Sequence, residues 1–345
     1  MKALVYTSPG TVEVLDRPKP AIQAPTDAVV RLLHASICGT DLHVLKGDVP
    51  SIQPGLVLGH EGVGIVDSVG SAVQRVQVGD RVVISCMTSC GACRYCRRGI
   101  SAHCETGGWV LGNQVDGTQA EYVRVPHATL SLHALPATIE ARQAVALSDA
   151  LPTGLECGVL SANVQPGQSV VIVGAGPVGM AALLTAQLYT PALIVMVDLD
   201  DTRLATAQRL GAHATVNSSA ADAQHQLLAL TDGLGFDSVI EAVGIPATFT
   251  FCQSLVAIGG RIANVGVHGC KVDLHLERLW DRNISIHMSL VNATTTPRLL
   301  RLVESGFLEI AQLVTHHFPC VEGPHAYETF QAASAHQALK VAIDF

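Results

Sequence analysis

Residues 169–198 carry the pattern that most restricts this chain. SVVIV, from Ser169 to Val173, is an apolar run of strand length; GAGPVG follows from Gly174 to Gly179, and VGMAALLTAQL is apolar at helical length. LIVMV comes next and ends on Asp198. A glycine turn between a buried strand and a helix opens a β-α-β unit, and G-x-G-x-x-G is the form that binds dinucleotides. Gly174 allows the tight turn, Gly176 lets the backbone approach a pyrophosphate, and Gly179 lets the helix pack close on the strand. The first N–H groups of the helix have no intrahelical acceptor and suit phosphate. Asp198 falls about twenty residues on, where a carboxylate accepts from ribose hydroxyls. The plainer alternative is a glycine turn without a ligand and an Asp that only ends a strand. The same alternation then repeats. TRLATAQRLGA, DAQHQLLALTDG and FTFCQSLVAIG read as helices; ATVN, DSVIEAVG, RIANVG and NISIHMSL read as strands. This spacing predicts an α/β fold with a doubly wound parallel sheet over residues 153–291.

The first 152 residues have a different texture. KALVY, TVEVL, DAVVRLLHAS, GVGIVDSVG, VGDRVVIS and AEYVRV are short strands punctuated by Gly and Pro. They predict a compact β-barrel unit, interrupted by one helix from near Cys38 through DLHVLKG. Residues 292–345 contain one or two helices and the terminal strand LKVAIDF. About fifty residues rarely sustain a core of their own, so this piece is expected to pack back on the first domain. The predicted domains are thus 1–152 with 292–345, and 153–291. A length of 345 residues suits two domains. Hydrophobic residues at 48% against 14% charged exclude a disordered chain. A net charge of -8 argues against nucleic acid and against a polybasic membrane patch. No apolar run reaches the ~18 residues of a spanning helix. MKALVYTSPG alternates like a strand and lacks the regions of a signal peptide, so a cytoplasmic location is expected.

Of ten cysteines, four fall within fifteen residues. CGACRYCRRGISAHC spaces Cys90, Cys93, Cys96 and Cys104 as C-x2-C-x2-C-x7-C. Thiols kept reduced inside a cell point to metal when clustered this way. Four thiolates on one surface loop close a tetrahedron with no open position, which makes a structural zinc site. An iron–sulfur centre and a redox CxxC pair are the alternatives. Arg94, Arg97 and Arg98 offset the thiolate charge. Cys86, just upstream, reads as a core thiol. A second set is more dispersed: Cys38 in SICGTDLH and His60 in GHEGVG. A catalytic zinc takes three protein ligands and keeps a fourth position for water or substrate. Either residue alone is more often a buried packing residue.

Taken together, ICGTDLH at 37–43, GHEGVGIVDSVG at 59–70, the four-Cys lobe and GAGPVG with Asp198 resemble the zinc-dependent medium-chain alcohol dehydrogenases, over essentially the full length. The resemblance implies a chaperonin-10-like β-barrel catalytic domain with a structural zinc lobe at 86–105, and a Rossmann coenzyme domain. It implies Cys38, His60 and Asp149 as catalytic zinc ligands. Asp149 lies in SDALPTGLECG, where Glu156 and Cys157 are less favoured candidates. Glu61 matches a residue close to the metal. Two zinc ions per subunit and NAD are implied, the NAD held by Gly174, Gly176, Pro177, Val178, Gly179, Asp198, Arg203, Gly266 and Val267.

The implied reaction is hydride transfer from a zinc alkoxide to the nicotinamide. Thr40 accepts the alcohol proton, and a ribose hydroxyl passes it to His43. A helix cap for Thr40 and a solvated helix position for His43 are the plainer readings. Trp109 matches an aromatic pocket residue of secondary-alcohol relatives; packing of the lobe on the barrel is its alternative. With no positive cluster to hold an anion, uncharged primary or secondary alcohols and their aldehydes or ketones are the expected substrates. The segment LWDRNISIHMSLVNATTTPRLLRLVESG looks most like bacterial relatives acting on simple alcohols, although some of these lack the four-Cys lobe. Rivals are a polyol or amino-alcohol dehydrogenase of sorbitol or threonine type, zinc-free quinone or enoyl reduction, and a non-enzymatic zinc- and nucleotide-binding protein. NISIHMSL, as an apolar sheet edge, invites a second chain. A homo-oligomer is expected, a tetramer or else a dimer.

Overall fold

The computed structural model describes residues 1–345, which divide into two units, Met1–Pro152 with Asn292–Phe345, and Thr153–Val291. In the first unit, strands β1 (Lys2–Ser8) and β2 (Thr11–Asp16) form an antiparallel hairpin. Single bridges from Ala3 to Ala120 and from Val5 to Val57 tie it to the rest. The larger sheet is built on β3 (Ala28–Ser36), whose residues are almost all buried or half-buried. It pairs antiparallel with β4 (Gly62–Val69), which pairs with β5 (Arg81–Ile84). A Cβ on Gly64 would lie 2.3 Å from the Arg31 carbonyl oxygen, so a glycine is needed where β3 and β4 close up. β6 (Tyr122–Val125) also joins β3, and β7 (Leu132–Ala134) joins β5. Val30, Leu32, Val66, Val82, Ile84, Leu111 and Val123 fill one core.

The second unit is a six-stranded parallel sheet. Its strands are β8 (Ser169–Val173), β9 (Leu193–Asp198), β10 (Ala214–Asn217), β11 (Phe236–Glu241), β12 (Val256–Asn264) and β13 (Ser285–Met288). The order β10-β9-β8-β11-β12-β13 reverses between β8 and β11. In such sheets ligands bind at the carboxyl ends beside that reversal. Val171, Val195, Val239, Leu255 and Ile262 are fully buried in its core. One boundary differs from expectation. VAIG, expected as the end of a helix, is strand: the Pro246–Leu255 helix stops and Val256 is already extended, paired with Phe236. The ladder outweighs local helix propensity there.

The last segment returns to the first unit as β14 (Val314–Pro319) and β15 (Lys340–Asp344). β15 runs antiparallel to β3, with Ala342 opposite Ser36. Val341 and Ile343 are fully buried, beside Tyr327 and Phe330 of the Gly323–Gln331 helix. Each such apolar side chain contributes about 1.5–3 kcal/mol, which is why this piece needs no core of its own. β14 was not foreseen, because VTHHFP lacks an apolar alternation. The Ala150–Thr153 helix passes directly into a π-helix, Gly154–Leu160. No helix is long and apolar enough to cross a membrane.

Candidate functional site

The end of β3 turns sharply into the Gly39–Lys46 helix, and Cys38 is the extended residue at its start, φ -106° and ψ 157°. Asp41 secures that turn by accepting from the Cys38 N–H at 2.9 Å. His60 and Glu61 lie between Gly59, φ +92°, and the first residue of β4. Asp149 directly precedes the Ala150–Thr153 helix. The fold brings one donor atom of each of Cys38, His60, Glu61 and Asp149 within 4.8 Å of the others. Cys38 Sγ is 3.5 Å, and His60 Nε2 3.6 Å, from Asp149 Oδ2. Glu156 and Cys157 belong to the π-helix and lie outside this group.

The groups behind these donors were not anticipated. His60 Nδ1 faces Asp41 Oδ1 at 3.9 Å, leaving Nε2 for the cluster. Asp41 also accepts from Gln119 Nε2 at 3.1 Å, and Gln119 Oε1 accepts from the Tyr327 hydroxyl at 2.7 Å. A carboxylate behind a metal-ligating His fixes its ring and raises its basicity. Glu61 Oε2 accepts from Ser36 Oγ and pairs with Lys340 Nζ at 2.5 Å. Lys340 is 2% exposed, which its pairing with a carboxylate makes tolerable.

Burial pushes the Cys38 thiol up, and the Asp149 charge adds to it. Glu61 is raised by burial against the pull of Lys340. His60 is raised well above its ordinary value; burial opposes this, but its contacts with Asp149 and Cys38 outweigh burial. The Cys38 thiol and the His60 imidazolium are thus favoured in the cluster alone, and a divalent cation would reverse that by stabilising thiolate and neutral imidazole. Glu61 Oε1 is buried without a hydrogen-bond partner, an orphan that a cation would satisfy. Mixed sulfur, nitrogen and oxygen donors in this number fit zinc.

Thr40 and His43 are three residues apart on one helix and so share a face. Thr40 Oγ1 is 3.7 Å from Cys38 Sγ, while His43 Nδ1 reaches Asp48 Oδ2 at 2.9 Å toward solvent. Trp109 is half-buried, and its ring meets the His60 ring edge-on with centroids 6.1 Å apart.

The four-Cys lobe is local; Cys90, Cys93 and Cys96 are half-buried and Cys104 is buried. Cys90 Sγ and Cys96 Sγ are 4.0 Å apart. Two sulfurs on one zinc at about 2.3 Å each would be about 3.8 Å apart. Backbone N–H groups point at the sulfurs: Cys90 N to Cys104 at 3.3 Å, Cys93 N to Cys90 at 3.4 Å, Cys96 N to Cys93 at 3.5 Å. The N–H groups of Cys96 and then Glu105 lower the Cys93 thiol to about 6. Cys90 is lowered too; burial opposes this, but its contacts with the Ala92 and Cys93 N–H groups outweigh burial, whereas burial and then Cys93 push Cys96 up to about 12. Four sulfurs at this spacing fit a closed structural ion, which would hold all of them as thiolates. Cys86 is a fully buried free thiol.

In the second unit, Gly174 has φ +107°, and a Cβ on Gly179 would come 1.7 Å from its carbonyl oxygen. Above Gly176 there is open space, as a phosphate would need. Pro177 occupies the first helical turn, where its missing N–H costs nothing. Asp198 accepts from the N–H of Ala175 at 2.6 Å and of Asp200 at 3.0 Å, holding the glycine turn. Arg203 Nε lies 4.0 Å from Asp200 Oδ2. Gly266 and Val267 follow β12, with Val267 exposed. The residues present fit a dinucleotide along the carboxyl edge of the sheet.

Comparison with known proteins agrees with this geometry. Residues 24–137 match the model of the alcohol dehydrogenase GroES-like domain, and 177–305 that of zinc-binding dehydrogenases. An alcohol dehydrogenase from Cupriavidus necator is 34% identical, over 99% of this chain and 98% of its own. Zinc dependent alcohol dehydrogenase 2 from Streptococcus pneumonia, in its apo form, has a TM-score of 0.95 at 51% identity, covering 100% of this chain and 98% of that one. A zinc-binding dehydrogenase from Sinorhizobium meliloti 1021, bound to NADP, has a TM-score of 0.88 at 29% identity, covering 100% and 99%. A GroES-like barrel with a buried mixed-donor cluster, joined in sequence to a parallel dinucleotide sheet and matched end to end by such relatives, makes this chain a member of the zinc-type alcohol dehydrogenases, an oxidoreductase of alcohols on the medium-chain scaffold.

Proposed function

We propose that the enzyme interconverts uncharged primary or secondary alcohols and their aldehydes or ketones, with NAD as coenzyme. It uses one catalytic zinc on Cys38, His60 and Asp149 and one structural zinc on Cys90, Cys93, Cys96 and Cys104. The observation that carries this is the buried cluster of sulfur, nitrogen and oxygen donors beside Trp109. Bound zinc supplies Lewis acidity at the alcohol oxygen, and the nicotinamide supplies the hydride acceptor. The chain does the rest. Asp41, 3.9 Å behind His60 Nδ1, attracts that side of the ring and leaves Nε2 to the metal. Ser36 and Lys340 occupy Glu61 Oε2, and the unpartnered Oε1 leaves Glu61 a carboxylate close to the metal, beside its three ligands. Thr40 takes the hydroxyl proton, and His43 releases it at the solvent end of the same helix face. Trp109 keeps the approach apolar and disfavours charged substrates.

Coenzyme choice is placed at Asp198. A 2′-phosphate there would meet a carboxylate, and like charges at ~4 Å cost ~4 kcal/mol at an effective dielectric near 20. Arg203, the one nearby cation that could hold a phosphate, is already close to Asp200. One relative is bound to NADP and another, from E. coli CFT073, is complexed with NADH, so the scaffold admits either coenzyme. A preference for NAD of about 100-fold needs only ~2.7 kcal/mol, and Asp198→Gly should relax it. The subunit acts in the cytoplasm as a homo-oligomer, a tetramer or else a dimer. β13 is an edge strand with Met288 77% and nearby Trp280 79% exposed, which favours pairing with a second copy. The test is turnover of ethanol, 2-propanol, benzyl alcohol and sorbitol with NAD and with NADP, alongside zinc content. Turnover of sorbitol alone, or equal efficiency with NADP, would overturn the reading.

A further inference from the structure

We infer that Glu241, Asn264 and His268 form a clamp beneath the nicotinamide end of the coenzyme crevice and act as positioning residues for it; this rests on the coenzyme reading above. Glu241 ends β11, Asn264 ends β12, and the two are register partners at the carboxyl edge of the sheet. Glu241 is completely buried. Its Oε1 accepts from the N–H groups of Val243 at 3.1 Å and Gly244 at 2.9 Å, and from Thr248 Oγ1 at 2.7 Å. Its carbonyl accepts from the N–H groups of Val265 at 2.8 Å and Gly266 at 3.1 Å. Asn264 Nδ2 donates to the Gly266 carbonyl at 3.0 Å, and Asn264 Oδ1 is 2.8 Å from His268 Nε2. Both backbone groups of Gly266 are therefore tied down.

The two turns so held touch each other. A Cβ on Gly266 would come 2.2 Å from Gly244 N, and one on Gly244 would come 2.4 Å from the Val267 carbonyl oxygen. Burying a carboxylate is costly, and here one of its oxygens is left without a hydrogen-bond partner, 3.7 Å from His268 Nε2. An apolar residue would end the strand at less cost, so the carboxylate is retained for what it positions. Above it, Val243, Ile245 and Val267 stand 43%, 46% and 58% exposed, an apolar shelf that begins beside Gly174. A shelf of aliphatic side chains on pinned backbone amides suits a flat heteroaromatic ring bearing a carboxamide, the nicotinamide end of the coenzyme. His268 acts through Asn264: with its Nε2–H donated to Oδ1, the amide is aimed at Gly266.

The experiment uses the zinc-loaded enzyme and two probes, NADH and ADP-ribose, which lacks the nicotinamide. Asn264→Ala and His268→Ala should each weaken NADH by roughly 10-fold, the worth of a buried hydrogen bond, while ADP-ribose stays within about 2-fold. His268→Gln, whose amide can still donate to Asn264, should restore NADH binding. Equal loss of both probes, with no restoration by Gln, would show general support of the sheet and overturn the clamp. Unchanged NADH binding in both Ala variants would overturn it as well. Failure of the unaltered enzyme to bind ADP-ribose would instead bring down the coenzyme reading, and the clamp with it.

Discussion

The two clusters of metal donors contrast in nearly every physical respect. The lobe gathers its four sulfurs from fifteen consecutive residues, three of the cysteines half-buried and Cys104 buried, with backbone N–H groups lowering the Cys90 and Cys93 thiols. The Cys38 cluster draws donors from positions 38, 60, 61 and 149, buries all of them but the half-buried Cys38, and raises the protonation of its thiol. A site that must only hold an ion can be built locally. The cluster proposed to lose a proton and admit a substrate is instead assembled across the fold, and its buried charges have partners of their own, Lys340 for Glu61 and Asp149 for His60.

The largest expected effect tests that division of labour directly. His60→Ala or Cys38→Ser should lower turnover by at least about 10³-fold, about 4 kcal/mol of barrier, with the melting temperature nearly unchanged. Cys93→Ser should do the reverse, lowering the melting temperature by about 5–10 °C while folded enzyme keeps most of its turnover. Zinc per subunit should fall from two to one in both. Equal activity loss at an unchanged melting temperature in both would erase the distinction.

The second test compares the charge pairs that flank each cluster. Lys340→Met leaves the buried Glu61 carboxylate without its cation and should cost about 3–5 kcal/mol of stability. Arg94→Ala breaks a pair with Glu105 at 3.0 Å whose side chains are 72% and 48% exposed. That change should cost at most about 1 kcal/mol. Urea unfolding of the zinc-loaded variants reads both values, and similar costs would mean that burial is not what sets them apart.

How far each cluster was legible in the sequence follows from the same contrast. The four cysteines and the GAGPVG turn are local, so spacing sufficed. Cys38 and His60 acquired meaning only from their neighbours, since a single buried Cys or His is commonplace. Asp149 is 111 residues from Cys38, and no periodicity links them. Asp41 was visible in ICGTDLH but unassigned. Lys340 left a usable trace, a charge inside the apolar run LKVAIDF, where only a buried counter-charge makes sense. Gln119 and Tyr327, 208 residues apart, left none. The sheet order was implied by the β-α alternation, whereas β14 and the start of β12 depend on ladders that only the folded chain supplies.

A third comparison concerns thiol reactivity once zinc is withdrawn. Cys93 is lowered to about 6 by the N–H groups of Cys96 and Glu105, so above that pH it is mostly thiolate. Cys38 is raised above the ordinary 9.0 by burial and by Asp149, so it remains a thiol well past neutrality. The thiolate is the nucleophile. At pH 7.5 with a chelator, iodoacetamide should label Cys93 within minutes and Cys38 far more slowly, as peptide mass spectrometry would show. Matching rates would contradict the electrostatic contrast.

The smallest effect separates the clusters by their traffic with solvent. On the proposed roles the lobe exchanges nothing during turnover, whereas the Cys38 cluster exports one proton for each alcohol oxidised. Thr40 and His43 lie on one helix face, and His43 meets Asp48 where the helix reaches water. An imidazole both accepts and releases a proton near neutral pH, which suits the last position of such a route. His43→Ala leaves Cys38, His60 and Asp149 in place, so binding and hydride geometry should persist. Oxidation should slow several-fold, most below neutral pH, where release to solvent is hardest. Small buffers such as imidazole should recover part of the rate, and Cys93→Ser should gain nothing from them. If His43→Ala keeps the rate and pH profile of the unaltered enzyme, the proton leaves the buried cluster by another path.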